Sequence, residues 1–540
     1  MAAELVPRFC ILGGGVSGLT TAFFLQRSFP HARITLVEAA SRLGGLVKSA
    51  KGSSGVLEQG FHSSVLVNRN GREALGLAKL LKLEDEVVSA NIEASSRRHL
   101  FLHGRVQYFP RSQHVLQYCP ALLAEPLWPR GNSEDESVHA FVARRTSRAI
   151  ADRLADPVCR GQLAGDARTL SVRTCFPRLW FNERRFRSVF LGAAASTFLA
   201  YQRRSWLALD WLDPLLQRIS TGGRCYSFQH GMGSVVTALE EKLKNPSPGT
   251  RPADLLLGVS AHRLQRPASP SPGTEDGAAE VSLSDGRVIH ADCVIAALPP
   301  SELSSLLGSS GLDVAGAEPA GGSLCDILKG IHHESVAVVN ISFNSDVLKA
   351  KRLKGAGYFV GSLEGQEPVL GMSWDSQLFP QQQGSGSKEG TAPNTTLTVY
   401  LGAWEGFGEA AAVAREAVRT QLGVEDEPSE VTATLWPEAV PQYEVGHHQR
   451  LKAISASRIR HLPWLQVAGP GYFGTRNVAD EIVDARELAD SLTRRFARFP
   501  SLLENETEED SAQRFGGGFD AEPHASADWN GRGPRDTMAE

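Results

Sequence analysis

The first apolar run of the chain, Phe9-Cys10-Ile11-Leu12, stops at glycine, in Gly13-Gly14-Gly15-Val16-Ser17-Gly18. Leu19, Ala22, Phe23 and Leu25 then recur at helical spacing, and a second run, Ile34-Thr35-Leu36-Val37, ends at Glu38. Two short continuous apolar runs with an amphipathic stretch between them predict a parallel β-α-β unit whose strands are covered on both faces. Leu75 to Val88 reads as a charged helix, and Leu100 to Phe109 alternates as a hairpin around His103-Gly104. From Glu125 to Gln217 the period is helical, with Arg178, Arg184, Arg185 and Arg187 set among Trp180, Phe181 and Phe186. Strand patterns return at Asp254 to Leu264, Val281 to Leu298, Ser335 to Phe343, Val369 to Trp374 and Thr396 to Trp404. Pro267 to Gly277 and Gln381 to Thr395 read as polar loops, and the acidic, Gly-rich composition after Glu504 predicts disorder.

With 540 residues, 42% of them hydrophobic, the chain can fill roughly two or three domains. A net charge of -4 gives no overall positive field, so no nucleic acid is expected as a partner. The 7 cysteines are scattered, which suits buried reduced thiols and supplies neither a disulfide framework nor a zinc site. His332-His333 and His447-His448 also lack metal-site spacing, so no metal is expected. No run approaches the roughly 18 apolar residues that span a bilayer. The best candidate, Ser188 to Tyr201, reads as a core helix or a helix resting on a membrane. The short segment before Phe9 leaves no room for a secretory signal or a cleaved transit peptide, so import into an organelle would rely on internal information.

Candidate chemistry begins at the glycines. Gly13 permits the tight turn, Gly15 lets a diphosphate approach the backbone, and Gly18 lets helix and strand pack closely. The cradle Gly13, Gly14, Gly15, Val16, Ser17 and Gly18 then presents a helix N-terminus to the phosphates. Glu38, about twenty positions past Gly18, stands where a carboxylate accepts from ribose hydroxyls, and it would repel the 2'-phosphate of NADP. The continuation Glu38-Ala39-Ala40-Ser41-Arg42-Leu43-Gly44-Gly45 sets a cation and two bare backbone positions just past that acid, which suits an extended cofactor that stays bound.

This run resembles the flavin amine oxidase superfamily, as do Glu58-Gln59-Gly60 and Ala291-Asp292-Cys293-Val294-Ile295-Ala296-Ala297-Leu298-Pro299. The resemblance implies FAD along the first domain, held by the cradle and Glu38 together with Ala39, Arg42, Gly44, Gly45, Leu46, Gly60, Phe61, His62, Ser63, Ala261, Gly474 and Thr475. Further stretches resemble the animal-type protoporphyrinogen oxidases within it: Asp135 to Phe141 with Cys159 to Asp166, Leu170 to Pro177, and Pro441 to His447. The implied fold is α/β (α+β), a Rossmann-like FAD-binding domain with an interleaved substrate-binding sheet domain and a helical membrane-associating domain. The implied division is 8–90, 221–305 and 456–500 for FAD, 91–125 and 306–455 for substrate, 126–220 for the helical domain, and 501–540 as a disordered tail.

The implied reaction is oxidation of protoporphyrinogen IX to protoporphyrin IX, the penultimate step of haem synthesis, in three two-electron steps with O2 as acceptor and H2O2 as product. No dedicated catalytic acid or base is required. The resemblance makes Arg98 the partner of a substrate propionate and places Gly357 and Phe359 against the macrocycle, with Tyr400 lining the same cavity. Read without it, a solvated hairpin is the better account of Arg98, and core packing suits Phe359 and Tyr400 at least as well as a cavity lining. The Arg178 to Arg187 cluster is a solvated helix face or a membrane-surface anchor. The resemblance implies peripheral attachment to the mitochondrial inner membrane, or a plastid in a photosynthetic source, together with a homodimer and contact with the next haem-pathway enzyme. Two departures keep alternatives open. Phe61-His62 stands where the family has Pro-Arg, and the segment Gly474 to Ile482 is longer, with Arg476 and Asp480 at apolar or neutral positions. The alternatives are another oxidoreductase of the amine oxidase and phytoene desaturase superfamily, or a catalytically impaired flavin-binding relative that serves as a binding partner.

Overall fold

The computed structural model describes residues 6–60, 64–109, 120, 122–195, 213–223, 225–266, 279–316, 321–366, 368–383, 394–402, 409–474 and 477–498. The expected loop Pro267 to Gly277, most of Gln381 to Thr395 and the expected disordered tail fall outside these residues.

Strands Arg8–Leu12 and Arg33–Glu38 flank the helix Val16–Ser28 and pair in parallel, Phe9 beside Ile34 and Leu12 beside Val37. They lie inside a parallel five-stranded sheet, ordered Asp254–Leu257, Arg33–Glu38, Arg8–Leu12, Cys293–Ala296, Leu465–Val467. Alternation sends Phe9 and Ile11 to one layer, with the helices Val16–Ser28, Gly233–Lys244 and Val478–Arg498. Cys10 and Leu12 point to the other, with Pro300–Ser309 and His447–His461. Both faces are buried, which is why these strands read as unbroken hydrophobic runs. Cys10, Cys159, Cys175, Cys225, Cys293 and Cys325 are buried free thiols.

A seven-stranded sheet forms the second layer system, ordered Glu430–Pro441, His333–Phe343, Thr395–Gly402, Val369–Ser373, Gly357–Val360, Arg98–Leu102, Arg105–Phe109. Every neighbouring pair is antiparallel except Gly357–Val360 with Arg98–Leu102. That parallel join inserts an early hairpin into strands from the later chain, so the two domains interleave. One face, carrying Phe101, Tyr358, Val360, Val399 and Trp374, packs on the helix Ala410–Leu422.

Several elements differ from their periodicity. Leu75 to Val88 is not one helix. The helix is Arg69–Leu80, started by Asn68, whose side chain accepts from Gly71 N at 2.8 Å, while Val87–Ser89 is a strand paired with Cys225–Phe228. The run Asp254 to Leu264 breaks at Gly258 (φ +69) into Asp254–Leu257 of the parallel sheet and Ala261–Gln265 of a small meander. Val281 to Leu298 likewise divides into Ala279–Leu283, Val288–Ala291 and Cys293–Ala296, the last entering the parallel sheet. Local pattern reports burial, and partner choice decides where one strand ends.

The helices Val138–Arg145, Asp156–Leu163, Val172–Cys175 and Pro177–Phe186 gather Phe141, Cys159, Leu163, Val172 and Cys175 around Tyr443. Beside this core Arg145 and Glu125 are 1% and 0% exposed, a burial tolerable only because every charge is answered. Arg145 Nε donates to Glu125 Oε1 at 2.7 Å, Val189 N donates to the same oxygen at 2.9 Å, and Ser188 Oγ donates to the other. Among the described residues no helix is long and apolar enough to cross a membrane. Arg145→Leu should lower the stability of this unit by about 3–5 kcal/mol, because Glu125 is left as an uncompensated buried charge. Hydrogen exchange should quicken over residues 125–190 and stay unchanged in the parallel sheet; unaltered exchange over 125–190 would refute that role for Arg145.

Candidate active site

Gly13 adopts φ +103 and donates its N–H to Val37 O at 2.8 Å, closing the turn after the first strand. A Cβ on Gly13 would lie 2.3 Å from Ala297 O, and one on Gly18 would lie 2.0 Å from Gly13 O. Main chains cross at both places. Gly15 differs, because its φ of -70 is open to any residue and a Cβ would meet nothing nearer than Gly45 Cα at 4.0 Å. The helix that starts at Val16 has no side-chain cap and no acidic residue in its first turn. Its first N–H groups and its dipole are therefore left for an anion lying in the open space over Gly15.

Glu38 Oε2 accepts from Gly14 N at 2.7 Å and Oε1 from Ala40 N at 2.8 Å, so the carboxylate is fixed at the end of its strand with Ala39 exposed beside it. Gly44 N donates to Gly14 O at 2.8 Å, docking the second glycine pair on the first. The Arg42 guanidinium donates to Leu43 O, Val47 O and Gly45 O at 3.1, 3.3 and 2.6 Å and lies over the Trp436 ring at 5.4 Å, so it braces the loop carrying Gly44, Gly45 and Leu46. Gly60 abuts that loop, where a Cβ would come 2.0 Å from Leu46 O. Ala261 opens its meander strand just after Val259, whose N–H donates to Glu38 O at 3.1 Å. Gly474 (φ +67) ends the helix Pro470–Phe473, and Gly469 before it lies against Ser17. Phe61, His62, Ser63 and Thr475 lie outside the described residues. An uncapped helix, an open bare position and a fixed carboxylate beyond them fit a diphosphate with a ribose next to it.

Register on the seven-stranded sheet aligns Leu100, Phe359, Gly371, Tyr400 and Val338 on successive strands. Phe359 leans over Gly371 and rests on Gly161, where a Cβ would come 2.0 Å from its ring. Tyr400, Leu46, Trp436 and Ala164 pack against one buried cluster of Val336, Leu370, Ala439 and Val440, where the sheet meets the glycine loop and the helical unit. Two residues back along the strands, on the same face, stands a polar row in which Gly357 and Thr398 pair with Ser373, and Asn340 with Thr398. Arg98 precedes His99, the partner of Tyr358, and so stands level with Gly357. It is exposed and forms no ion pair among the described residues, whereas Arg97 is bridged to Glu93 at 2.8 Å. Gly357 takes φ +128 with its Cβ position 2.0 Å from Met372 O, so backbone geometry excludes other residues there. Thus Arg98, Gly357, Phe359 and Tyr400 share one face. The sequence reading omitted Gly161, Gly371 and Trp436, whose positions depend on register between distant strands.

Buried acids connect the two halves. Glu58 Oε1 accepts from Met232 N and Oε2 from Ser49 Oγ, both at 2.7 Å, and burial pushes its pKa up to about 8. Asn340 Nδ2 donates to Glu58 O at 3.0 Å and to Thr398 Oγ1 at 2.8 Å. Thr398 Oγ1 and Ser373 Oγ donate in turn to Asp375, whose carboxyl is also raised by burial. At the diphosphate end, Ser17 Oγ donates to Glu481 Oε2 at 2.8 Å, a pairing not foreseen from sequence.

A dinucleotide half meeting an antiparallel sheet at one glycine loop defines a flavin-dependent oxidoreductase. The family model described as flavin containing amine oxidoreductase matches residues 16–475; the chain belongs to that family, is an oxidoreductase, and takes FAD as its cofactor. It is 32% identical over 505 residues to human protoporphyrinogen oxidase, covering 89% of this chain and 97% of the relative. It is 23% identical over 500 residues to coproporphyrinogen III oxidase of Bacillus subtilis, covering 86% and 93%. The same fold occurs in a solved protein from Exiguobacterium sp. 255-15, with a TM-score of 0.70, 20% identity, and 91% and 99% coverage of this chain and that one.

The raised Glu58 carboxyl gives a pH test. The folded chain holds a proton that the unfolded chain releases above about pH 4.3, so this group's contribution is complete below that value and is lost as pH rises through about 8. Glu58→Gln keeps the neutral shape. It should match wild type near pH 5 and exceed it by roughly 2–5 kcal/mol near pH 8 in denaturant unfolding. An unchanged difference between the two pH values would show that Glu58 is ionised in the folded chain.

Proposed function

We propose that this chain oxidises protoporphyrinogen IX to protoporphyrin IX, with O2 as electron acceptor and H2O2 as by-product. The observation that carries the reading is Arg98, exposed and without an ion pair among the described residues, on the same sheet face as Phe359 and Tyr400, where that face meets the loop of Gly44 to Leu46. A cation at the margin of an apolar wall suits a flat macrocycle bearing propionates. The similarity to human protoporphyrinogen oxidase over nearly its whole length supports the same substrate. Gly13 to Gly18, Glu38, the loop braced by Arg42, and Gly60 would hold the cofactor. When bound, FAD supplies the two-electron acceptor that O2 restores. The protein's part is positional. Arg98 donates to a propionate and fixes the macrocycle's orientation, while Phe359, Tyr400 and the bare edge at Gly357 hold its plane and exclude water.

Exposed Leu127, Trp128, Phe190 and Leu191, in the same unit as the exposed Arg178 and Arg185, support peripheral attachment of the helical unit to a membrane. On this reading it is the mitochondrial inner membrane, or a plastid membrane in a photosynthetic source. A homodimer that hands product to the next haem-pathway enzyme belongs to the same reading.

Purified protein incubated with protoporphyrinogen IX should raise porphyrin fluorescence beyond the autoxidation blank; no rise sinks the assignment, and faster oxidation of coproporphyrinogen III moves the substrate. Arg98→Ala should lower kcat/KM by about 10- to 100-fold, and unchanged kinetics would remove Arg98 from the site. Gly15→Ala tests the cradle separately. Its methyl meets no atom nearer than 4.0 Å, so it should melt as wild type, yet weaken FAD binding by about tenfold or more because it enters the space for the diphosphate. Unweakened FAD binding by this variant would place the diphosphate elsewhere.

A further inference from the structure

Ser17 and Glu481 meet from opposite ends of the chain. Ser17 lies in the first turn of the helix Val16–Ser28, and Glu481 in the first turn of Val478–Arg498, which packs along it. Among the described residues no cation answers the Glu481 carboxylate. Its own helix brings Asp480 alongside, which accepts from Asn70 Nδ2 at 2.7 Å and Asn477 Nδ2 at 3.0 Å. The helix Val16–Ser28 brings Ser17 and keeps its cation, Arg27, in the last turn. The helix Arg69–Leu80 brings Asn70, while its Glu73 is paired with Arg486 at 2.8 Å and Arg69 at 3.1 Å, and its Lys79 with Asp213. The turn Gly469–Phe473 carries no charged group. Glu481 keeps some solvent contact, yet its carboxyl is surrounded by protein, and burial with Asp480 beside it pushes the pKa up to about 7.

A hydroxyl has one proton to give. While Glu481 is ionised it accepts that proton's hydrogen bond, so a diphosphate oxygen at the same helix turn meets a committed hydroxyl and a carboxylate of like charge. Protonation reverses the direction. The acid then donates to Ser17 Oγ, and the Ser17 proton is free for the phosphate.

We propose that Glu481 is a proton-coupled positioning residue of the cofactor site: FAD binds with uptake of one proton onto Glu481, which turns the Ser17 hydroxyl toward the diphosphate. This rests on reading Gly13 to Gly18 as the diphosphate cradle. Like charge from the cofactor raises the carboxyl further, so affinity falls as pH rises above the free-state value.

The test is FAD affinity of the deflavinated full chain, read by flavin fluorescence between about pH 6 and about pH 9. The wild-type Kd should rise by about tenfold per pH unit above about pH 7, the slope of one linked proton. Glu481→Gln, whose amide donates to Ser17 at every pH, should hold a flat profile and bind about 30-fold more tightly than wild type near pH 8.5. Calorimetry of wild type near pH 8 in two buffers of different ionisation enthalpy should find about one proton taken up per FAD, and it needs no variant. Parallel pH profiles, or no proton uptake by wild type, overturn the coupling and leave the cradle standing. No FAD binding by either protein at any pH overturns the cradle and this inference with it.

Discussion

The cofactor half depends on main chain approaching main chain more closely than any side chain would allow. Gly13 lies against Ala297 O, Gly18 against Gly13 O, and Gly60 against Leu46 O, each with a would-be Cβ at or under 2.3 Å. The first of these crossings joins segments nearly 300 residues apart, and a methyl at any of the three would push strand, turn or loop out of place. Because the strand ends are fixed in this way, one carboxylate can serve two purposes. Glu38 accepts from Gly14 N and Ala40 N, which orders the turn, and still stands at the edge of the open space over Gly15. Gly15 and Gly13 therefore look alike in sequence and do opposite things. One is bare so that the protein can close, the other so that something else can enter.

What could be read from sequence is what is encoded locally. Strands buried on both faces must be continuously apolar, so Phe9 to Leu12 and Ile34 to Val37 announced a parallel sheet, and the glycines and Glu38 fell at fixed spacing within the same unit. The strand Glu430–Pro441 escaped because it lies at a sheet edge, half exposed, with Pro437 inside it, and so carries no strong alternation. The helix Arg69–Leu80 was misplaced although Asn68 marks its start, because the charged run beyond it kept a helical period. The site wall is a different case. Phe359, Gly371 and Tyr400 come together only through the pairing of strands from separate parts of the chain, and nothing near Gly371 signals that an aromatic ring will lie over it. Glu481 was visible only as a charge inside the departing segment Gly474 to Ile482, and its partner Ser17 is at the other end of the chain.

The protein buries carboxyl groups by two opposite routes. In the helical unit Glu125 and Glu183 stay charged beside Arg145 and Arg144, held by direct ion pairs and backbone donors. Between the cofactor half and the sheet, Glu58 and Asp375 have no cation among the described residues, and burial raises both carboxyls. Neutral hydrogen bonds cross the buried part of the joint, from Asn340 to Glu58 O and from Trp436 Nε1 to Gln59 O at 2.7 Å. The helical unit, with its charged network, also exposes Leu127, Trp128, Phe190 and Leu191.

Interleaving gives Arg98 its place. Arg98–Leu102 arrives early in the chain and pairs in parallel with Gly357–Val360, which puts a polar row and an aromatic row on one face, two residues apart. Within the polar row Ser373 and Thr398 direct their protons to Asp375, and Asn340 directs its amide to Glu58 O and Thr398. The neighbouring cation Arg97 is already held by Glu93. Arg98 is then the one member of the row with a charge to offer. On the proposed reading Arg98 orients the macrocycle: its apolar body is indifferent along the wall of Phe359 and Tyr400, and rotation is set by bringing an acidic edge to Arg98 at the margin.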